Sequence, residues 1–116
     1  MKDFRSLLVW EKAHALTLGI YRTTQGFPKE ERYGLTGQIR DAAVSVPSNI
    51  AEGCGKLGDP DFRRCLSYSA GSASELDYQL LLARDLSYLT PSEYQTFQPA
   101  VTEVKKTLNS LIGKLG

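Results

Sequence analysis

Apolar residues recur every three or four positions through most of this chain, which is the period of an α-helix that buries one face. The first run begins at Val9 and continues through Ala13, Leu16, Ile20 and Phe27. A second stripe, Trp10, Thr17 and Tyr21, lies beside it, so this helix is predicted to bury two faces. Gly26, Phe27 and Pro28 end the pattern, because proline cannot continue the hydrogen-bond ladder.

A second helix is predicted from about Glu30 to Ala51, and a glycine cluster at positions 53, 55 and 58 ends it. Its apolar side comprises Leu35, Ile39, Ala42, Val46 and Ile50. Pro47 lies inside this helix and removes the N–H that would bond to the carbonyl of Ala43, which then needs a Ser or Asn side chain or water as its partner. We expect a kink at Pro47.

Asp59 and Pro60 announce the third helix as an N-cap carboxylate and a proline at the first helical position. Its apolar positions are Phe62, Leu66, Ala73, Leu76, Leu80 and Ala83. The fourth helix starts at Thr90-Pro91, where Glu93 completes a capping box with Thr90. Its buried face is predicted to contain Tyr94, Phe97, Val101, Val104, Leu108, Leu111 and Leu115. Pro99 should bend this helix or shift its effective start.

No stretch shows the two-residue alternation of a half-buried strand, so the predicted fold class is all-α. Four helices joined by short links favour an antiparallel up-down-up-down four-helix bundle, with helix 2 kinked at Pro47. The length of 116 residues is typical of one domain, and we assign residues 1–116 to it.

Composition narrows the choice of partners and location. Apolar residues make up 41% of the chain and charged residues 23%, as in ordinary globular proteins. The net charge of +1 gives no overall attraction to nucleic acid or to anionic lipid. The N-terminal residues resemble neither a secretory signal nor a membrane span, so we expect a cytoplasmic protein without a membrane partner. Cys54 and Cys65 are then expected to be reduced thiols that pack as small hydrophobes.

Residues that could carry catalysis or hold a metal are few. His14 is the single histidine, and although Glu11 and His14 match the Glu-x-x-His half-motif of di-iron bundles, no second copy occurs. The glycines before Pro60 lack the Gly-Lys-Ser/Thr of a phosphate-binding loop, and Asp59 and Asp61 place negative charge there. We therefore predict no enzymatic activity, no catalytic residue, no cofactor and no metal site.

The remaining polar residues form two stripes that could meet. On the second helix Ser45, Asn49 and Glu52 follow Gln38 at helical spacing, and on the third helix Ser72 and Glu75 lie between Tyr68 and Gln79. We call Ser45, Asn49, Glu52, Ser72 and Glu75 the polar seam. The seam either forms a pocket that binds a ligand or fixes the register of two helices, since buried polar groups must be paired in both cases. Small residues beside it, including Gly71, would let the two backbones approach.

Taken together, these residues resemble the small four-helix-bundle proteins encoded by intervening sequences in bacterial 23S rRNA genes. The similarity runs through nearly the whole chain and is most specific in two stretches, Pro47–Gly53 (PSNIAEG) and Gly71–Leu76 (GSASEL). The resemblance implies an antiparallel bundle that assembles into a homopentameric ring and has no enzyme activity. Related accessory proteins of diversity-generating retroelements are basic, bind nucleic acid and work with a reverse transcriptase.

Two positions depart from the family pattern. Asp41 follows Arg40 where relatives often have a second basic residue, and Cys54-Gly55-Lys56 replaces an aromatic residue, glycine and arginine. The first change removes positive charge, and nonspecific affinity for nucleic acid depends on the number of phosphates neutralised. The nucleic-acid role of the basic relatives is therefore weakened in this chain.

Two functions follow. The first is a scaffold or interaction platform made of a homo-oligomer, because the second stripe on helix 1 and an extra apolar set around Ile112 exceed what one bundle needs to bury. The alternative is an accessory protein that binds RNA or DNA through basic residues brought together by a ring. The candidate residues are Arg5, Lys12, Arg22, Arg32, Arg40, Arg63 and Arg64.

Overall fold

The computed structural model describes residues 2–115 and contains four long helices. These are α1 (Leu8–Thr24), α2 (Leu35–Cys54), α3 (Asp59–Asp85) and α4 (Pro91–Leu115), with single turns of 3-10 helix at Phe4–Ser6 and Lys29–Glu31. Within the described residues there is no strand, and the all-α prediction is confirmed.

Each helix packs against its neighbours in the chain, and α4 closes the bundle against α1. The diagonal pairs α1–α3 and α2–α4 make no close backbone contact in residues 2–115. Because the links are short, neighbouring helices run antiparallel, as the up-down-up-down prediction requires. The bundle is an elongated body of 43 × 23 × 20 Å.

Each end of the bundle has its own contact between segments that are distant in the sequence. At one end the N–H of Lys2 donates to the carbonyl of Cys54 at 2.9 Å, which holds the N-terminal turn on the end of α2. At the other end the rings of Phe27 and Tyr88 lie 5.5 Å apart, which joins the α1–α2 link to the α3–α4 link. We call these the Lys2 end and the Tyr88 end.

Several predicted helix boundaries were wrong by a few residues around the α1–α2 link. Helix α1 ends at Thr24, and Phe27 is buried from the link rather than from the helix. Helix α2 begins at Leu35 instead of Glu30, because Lys29–Glu31 form a separate turn. Its first amide, that of Leu35, donates to Oε1 of Glu31 at 3.1 Å, so this side chain caps the helix.

The other helix ends differ less from the prediction. Helix α2 continues through Gly53 to Cys54, and α3 is capped by Gly58, so Asp59 is its first residue rather than its cap. The capping box of α4 is confirmed: the Thr90 amide donates to Glu93 Oε1 at 2.9 Å, and the Glu93 amide donates to Thr90 Oγ1 at 3.1 Å. Helix α4 runs unbroken through Pro99, so this proline does not shift its start.

The core lies along the axis of the bundle and takes side chains from all four helices. Its largest fully buried members are Ile20, Ile39, Ile50, Leu66, Leu76, Leu80 and Leu108. Ile112, predicted to be a surplus apolar residue, packs partly against this core. None of the helices in residues 2–115 is long and apolar enough to span a membrane.

Candidate functional site

Pro47 lies inside α2 and has no N–H to donate to the carbonyl of Ala43. That carbonyl accepts a hydrogen bond from another helix instead. The hydroxyl of Thr17 in α1 lies 3.0 Å from the carbonyl oxygen of Ala43 and 2.8 Å from that of Ala13. Its single proton is shared between the two acceptors, and only the Ala43 carbonyl lacks a helical N–H. The donor therefore comes from α1 and not from a Ser or Asn of α2.

Three of the five polar-seam residues meet between α2 and α3. The Ser45 and Ser72 hydroxyl oxygens are 2.7 Å apart, so one of them donates to the other. Nδ2 of Asn49 donates to Ser45 Oγ at 2.9 Å and to the Ser45 carbonyl at 2.8 Å. The result is a small network that joins the two helices with its hydrogen bonds made internally.

The two carboxylates of the seam make no hydrogen bond to this network within residues 2–115. Glu52 is exposed, and its contact is a long one of 3.9 Å from Sγ of Cys65. Glu75 is also exposed and borders an open cleft of about 320 Å³ together with Gln38 and Asp41. Gly71 faces open space, so the expectation that it helps the backbones to approach is wrong.

Two residues that the sequence analysis did not select bring α2 and α3 together. Ser69 is fully buried and donates to the Val46 carbonyl at 2.8 Å. A methyl group at position 53 would lie 2.9 Å from Cβ of Cys65 and from Cδ1 of Phe62, so the absence of a side chain at Gly53 lets α2 pack closely on α3. Ser69 lies between Leu66 and Ala73 on the apolar face of α3, and this periodicity was the signal that could have identified it.

Both cysteines are free and buried, as predicted for reduced packing residues. Burial raises the pKa of the Cys54 and Cys65 thiols, and the nearby Glu52 carboxylate raises that of Cys65 further. Both thiols stay protonated at neutral pH and are poor nucleophiles. No cluster of three or more His, Cys, Asp or Glu residues suited to a metal occurs within residues 2–115.

His14, the histidine of the Glu-x-x-His half-motif, makes an aromatic contact and not a metal-binding one. The imidazole of His14 stacks on the Trp10 ring, with the two centroids 4.9 Å apart. Both His14 and Glu11 are exposed on α1. Their geometry is that of a surface aromatic pair beside a solvated carboxylate.

Six of the seven basic candidates are divided between the two ends of the bundle, and Lys12 lies on the side of α1 that faces α4. Arg5, Arg63 and Arg64 lie towards the Lys2 end, whereas Arg22, Arg32 and Arg40 lie towards the Tyr88 end. Three of the seven form ion pairs: Arg5 with Asp3, Lys12 with Glu103, and Arg64 with Asp61. A single chain therefore does not gather these seven side chains on one surface.

The second stripe predicted on α1 is only partly covered. Thr17 is buried and Trp10 is half-buried against Phe4, with ring centroids 4.9 Å apart. Tyr21 remains 38% exposed, although the guanidinium of Arg40 lies 4.8 Å from the centroid of its ring. Leu18, on the adjoining part of the same helix, is 41% exposed. This surface carries apolar side chains that the bundle itself does not bury.

Comparisons with known proteins agree with this architecture. No curated protein sequence matches the chain. A crystal structure of a protein with unknown function from the S23 ribosomal protein family of Bacteroides thetaiotaomicron is similar, with a TM-score of 0.82 and 25% identity. The alignment covers 90% of this chain and 98% of that chain. Neither this structure nor the family matched indicates a class of enzyme. A family model for the 23S rRNA-intervening sequence protein matches residues 5–110, and the chain belongs to this family.

Proposed function

We propose that this protein is a non-enzymatic bundle that assembles with copies of itself and acts as a scaffold or interaction platform. The observation that carries the proposal is the apolar surface of α1, where Leu18 and Tyr21 remain exposed beside the half-buried Trp10. Apolar side chains grouped on one helix face are typical of surfaces that become buried on association. The family resemblance implies that the closed assembly is a homopentamer.

The polar residues favour a structural role over a catalytic one. Ser45, Asn49 and Ser72 satisfy one another, and the hydroxyl of Thr17 is committed to backbone carbonyls. A nucleophile needs an adjacent base or a lowered pKa, whereas burial raises the pKa of both thiols here. These features support a protein whose function is carried by its surfaces.

The experiment that tests this proposal is light scattering on purified protein at micromolar concentrations, with a matched pair of variants. Leu18→Lys places a charge on the α1 surface, and Leu86→Lys makes the same change at a residue of similar exposure, 41% against 46%, just past the end of α3. We expect an oligomer for the wild type and for Leu86→Lys, and a monomer for Leu18→Lys with an unchanged circular dichroism spectrum. A monomeric wild type would contradict self-assembly, and an oligomeric Leu18→Lys protein would contradict the assignment of the interface.

Nucleic-acid binding is the second candidate function, and the arginines at the Tyr88 end favour it. Arg22, Arg32 and Arg40 have no carboxylate partner within residues 2–115, and a ring would repeat them in every subunit. Fluorescence polarisation with labelled RNA and DNA at low salt tests this function. The expected affinity falls steeply as salt is added, because counterions are released from the phosphates. Absent binding, or binding that ignores salt, would contradict it.

A further inference from the structure

A cavity of about 560 Å³ opens at the Tyr88 end, between the end of α1 and the start of α2. Three basic side chains line it, those of Lys29, Arg32 and Arg40, together with the hydroxyl-bearing Thr24 and Thr36. Among its lining residues there is no carboxylate. The cavity is therefore positively charged although the chain as a whole is nearly neutral.

Arg40 is held in place at the wall of this cavity. Its Nε donates to Thr24 Oγ1 at 2.8 Å, and one terminal nitrogen donates to the Tyr21 carbonyl at 3.2 Å. These bonds use part of the guanidinium and leave other N–H groups without an acceptor in the described residues. A guanidinium that is fixed in this way loses little side-chain freedom when it binds an anion.

Thr36 adds a buried group that lacks a partner. This residue is only 6% exposed and lines the cavity, and its Oγ1 has no hydrogen-bond partner within residues 2–115. An unpaired buried hydroxyl costs free energy that a bound acceptor would recover. In a helix the hydroxyl of threonine has two accessible rotamers, so it can turn to meet a ligand.

The backbone at the start of α2 supplies further donors. The amides of Thr36 and Gly37 donate to no acceptor within residues 2–115, as is usual in the first turn of a helix. The positive end of the helix dipole lies here as well. The carboxylate of Glu31 also lies at this helix start, where it accepts hydrogen bonds from the Leu35 amide and from the hydroxyl of Tyr88, 2.9 Å away, and keeps its negative charge.

We propose that this cavity binds a phosphate group, with Arg32, Arg40 and Lys29 balancing its charge and Thr36 donating to one of its oxygens. The arrangement combines the Arg40 guanidinium, which is held by two hydrogen bonds, with the unpaired Thr36 hydroxyl and the free amides in the first turn of α2. Donors of these kinds bind a tetrahedral oxyanion. The phosphate can be a free ion or part of a nucleic-acid backbone. The site is contained in one chain, so it does not depend on the proposed self-assembly.

The test is a titration with sodium phosphate followed by ¹H–¹⁵N NMR, with sodium chloride adjusted to keep the ionic strength constant. We expect saturable shifts of the Thr36 and Gly37 amides. Arg32→Gln and Arg40→Gln should each weaken binding about tenfold, the loss of one charge-assisted hydrogen bond. Arg63→Gln, at the Lys2 end, is the matched control and should leave the affinity unchanged.

Thr36→Val separates ligand binding from folding. Valine keeps the shape of threonine and removes a hydroxyl that has no partner, so the free protein should be at least as stable as the wild type. The same variant should bind phosphate several-fold more weakly. If the Thr36→Val protein binds phosphate as well as the wild type does, Thr36 is not part of the site.

A short single-stranded oligonucleotide distinguishes the two sources of the phosphate. Binding of free phosphate without binding of the oligonucleotide identifies a free ion as the ligand. Binding of the oligonucleotide alone, lost in Arg32→Gln and kept in Arg63→Gln, identifies a backbone phosphate. The proposal is overturned if neither produces saturable shifts at Thr36 and Gly37, or if chloride produces the same shifts.

Discussion

The α2–α3 and α1–α4 contacts lie on opposite sides of the bundle and differ in how closely their helices approach. Between α2 and α3, Gly53 brings the backbone of α2 against Phe62 and Cys65, and Ser69 bonds across to the Val46 carbonyl. Between α1 and α4, small residues leave a groove of about 340 Å³ lined by Ala15, Gly19, Phe97 and Ala100, and the Lys12–Glu103 ion pair borders it. Small residues thus produce close packing on one side and open space on the other.

The difference lies in what opposes each small residue. The methyl position of Gly53 faces Cβ of Cys65, which is fixed to the backbone, whereas that of Gly19 faces the edge of the Phe97 ring at 3.1 Å. A ring edge beside an open groove can move, but a Cβ atom cannot. We infer that α2 and α3 are the most closely packed pair of helices and that α1 packs more extensively against α2 than against α4.

This contrast also explains why the polar seam is not the strongest candidate for a functional surface. Ser45, Asn49 and Ser72 form hydrogen bonds with one another between α2 and α3. The exposed apolar residues Leu18 and Tyr21 belong instead to α1, the helix with the looser packing against α4.

The largest expected effect comes from placing a methyl group at Gly53. Gly53→Ala would overlap with Cys65 and Phe62, and we expect it to lower the free energy of unfolding by about 2 kcal/mol, as overpacking does in other cores. Urea denaturation followed by circular dichroism measures the change.

Gly19→Ala is the matched change on the open side. Alanine improves helix propensity, and the Phe97 ring can shift into the groove, so the stability should stay within about 1 kcal/mol of the wild type. Equal losses for the two variants would show that the two sides are equally tight.

The next effect concerns the bond from α1 to the Pro47 region. Thr17→Val removes the donor to the Ala43 carbonyl and should cost about 1–2 kcal/mol, because a buried acceptor is left unpaired. Pro47→Ala restores a helical N–H to that carbonyl. In a double-mutant cycle the cost of Thr17→Val should fall by about 1 kcal/mol in the Pro47→Ala background. Additive effects would contradict the role assigned to Thr17.

Local signals allowed the helices to be predicted from the sequence. The period of the apolar residues identified all four, and Thr90 with Glu93 fixed the start of α4, because a capping box requires only residues close in the chain. The α1–α2 link was less predictable. There the carboxylate of Glu31 accepts hydrogen bonds from the Leu35 amide and from the hydroxyl of Tyr88, a residue far away in the sequence.

Features that depend on two helices could not be read from one sequence. Proline at position 47 indicated that the Ala43 carbonyl needs a donor, but nothing in the pattern linked it to Thr17 on another helix. Gly53 and Gly71 cannot be distinguished by residue type, although Gly53 faces Phe62 and Cys65 and Gly71 faces open space. The phosphate cavity likewise joins Thr36 to arginines that the sequence did not connect with it.

The smallest effects are expected within the polar seam, where Asn49→Leu and Glu52→Leu can be compared. Asn49 donates two hydrogen bonds to Ser45, but the Ser45 hydroxyl keeps Ser72 as a partner, so Asn49→Leu should cost only about 1 kcal/mol. Glu52 is exposed and makes one long contact with the Cys65 thiol, so Glu52→Leu should change stability by less than about 0.5 kcal/mol. Denaturation and light scattering on both variants would check these values. A larger loss of stability or assembly for Glu52→Leu than for Asn49→Leu would mean that Glu52 is buried against a neighbouring subunit, because its contacts within one chain cannot account for such a loss.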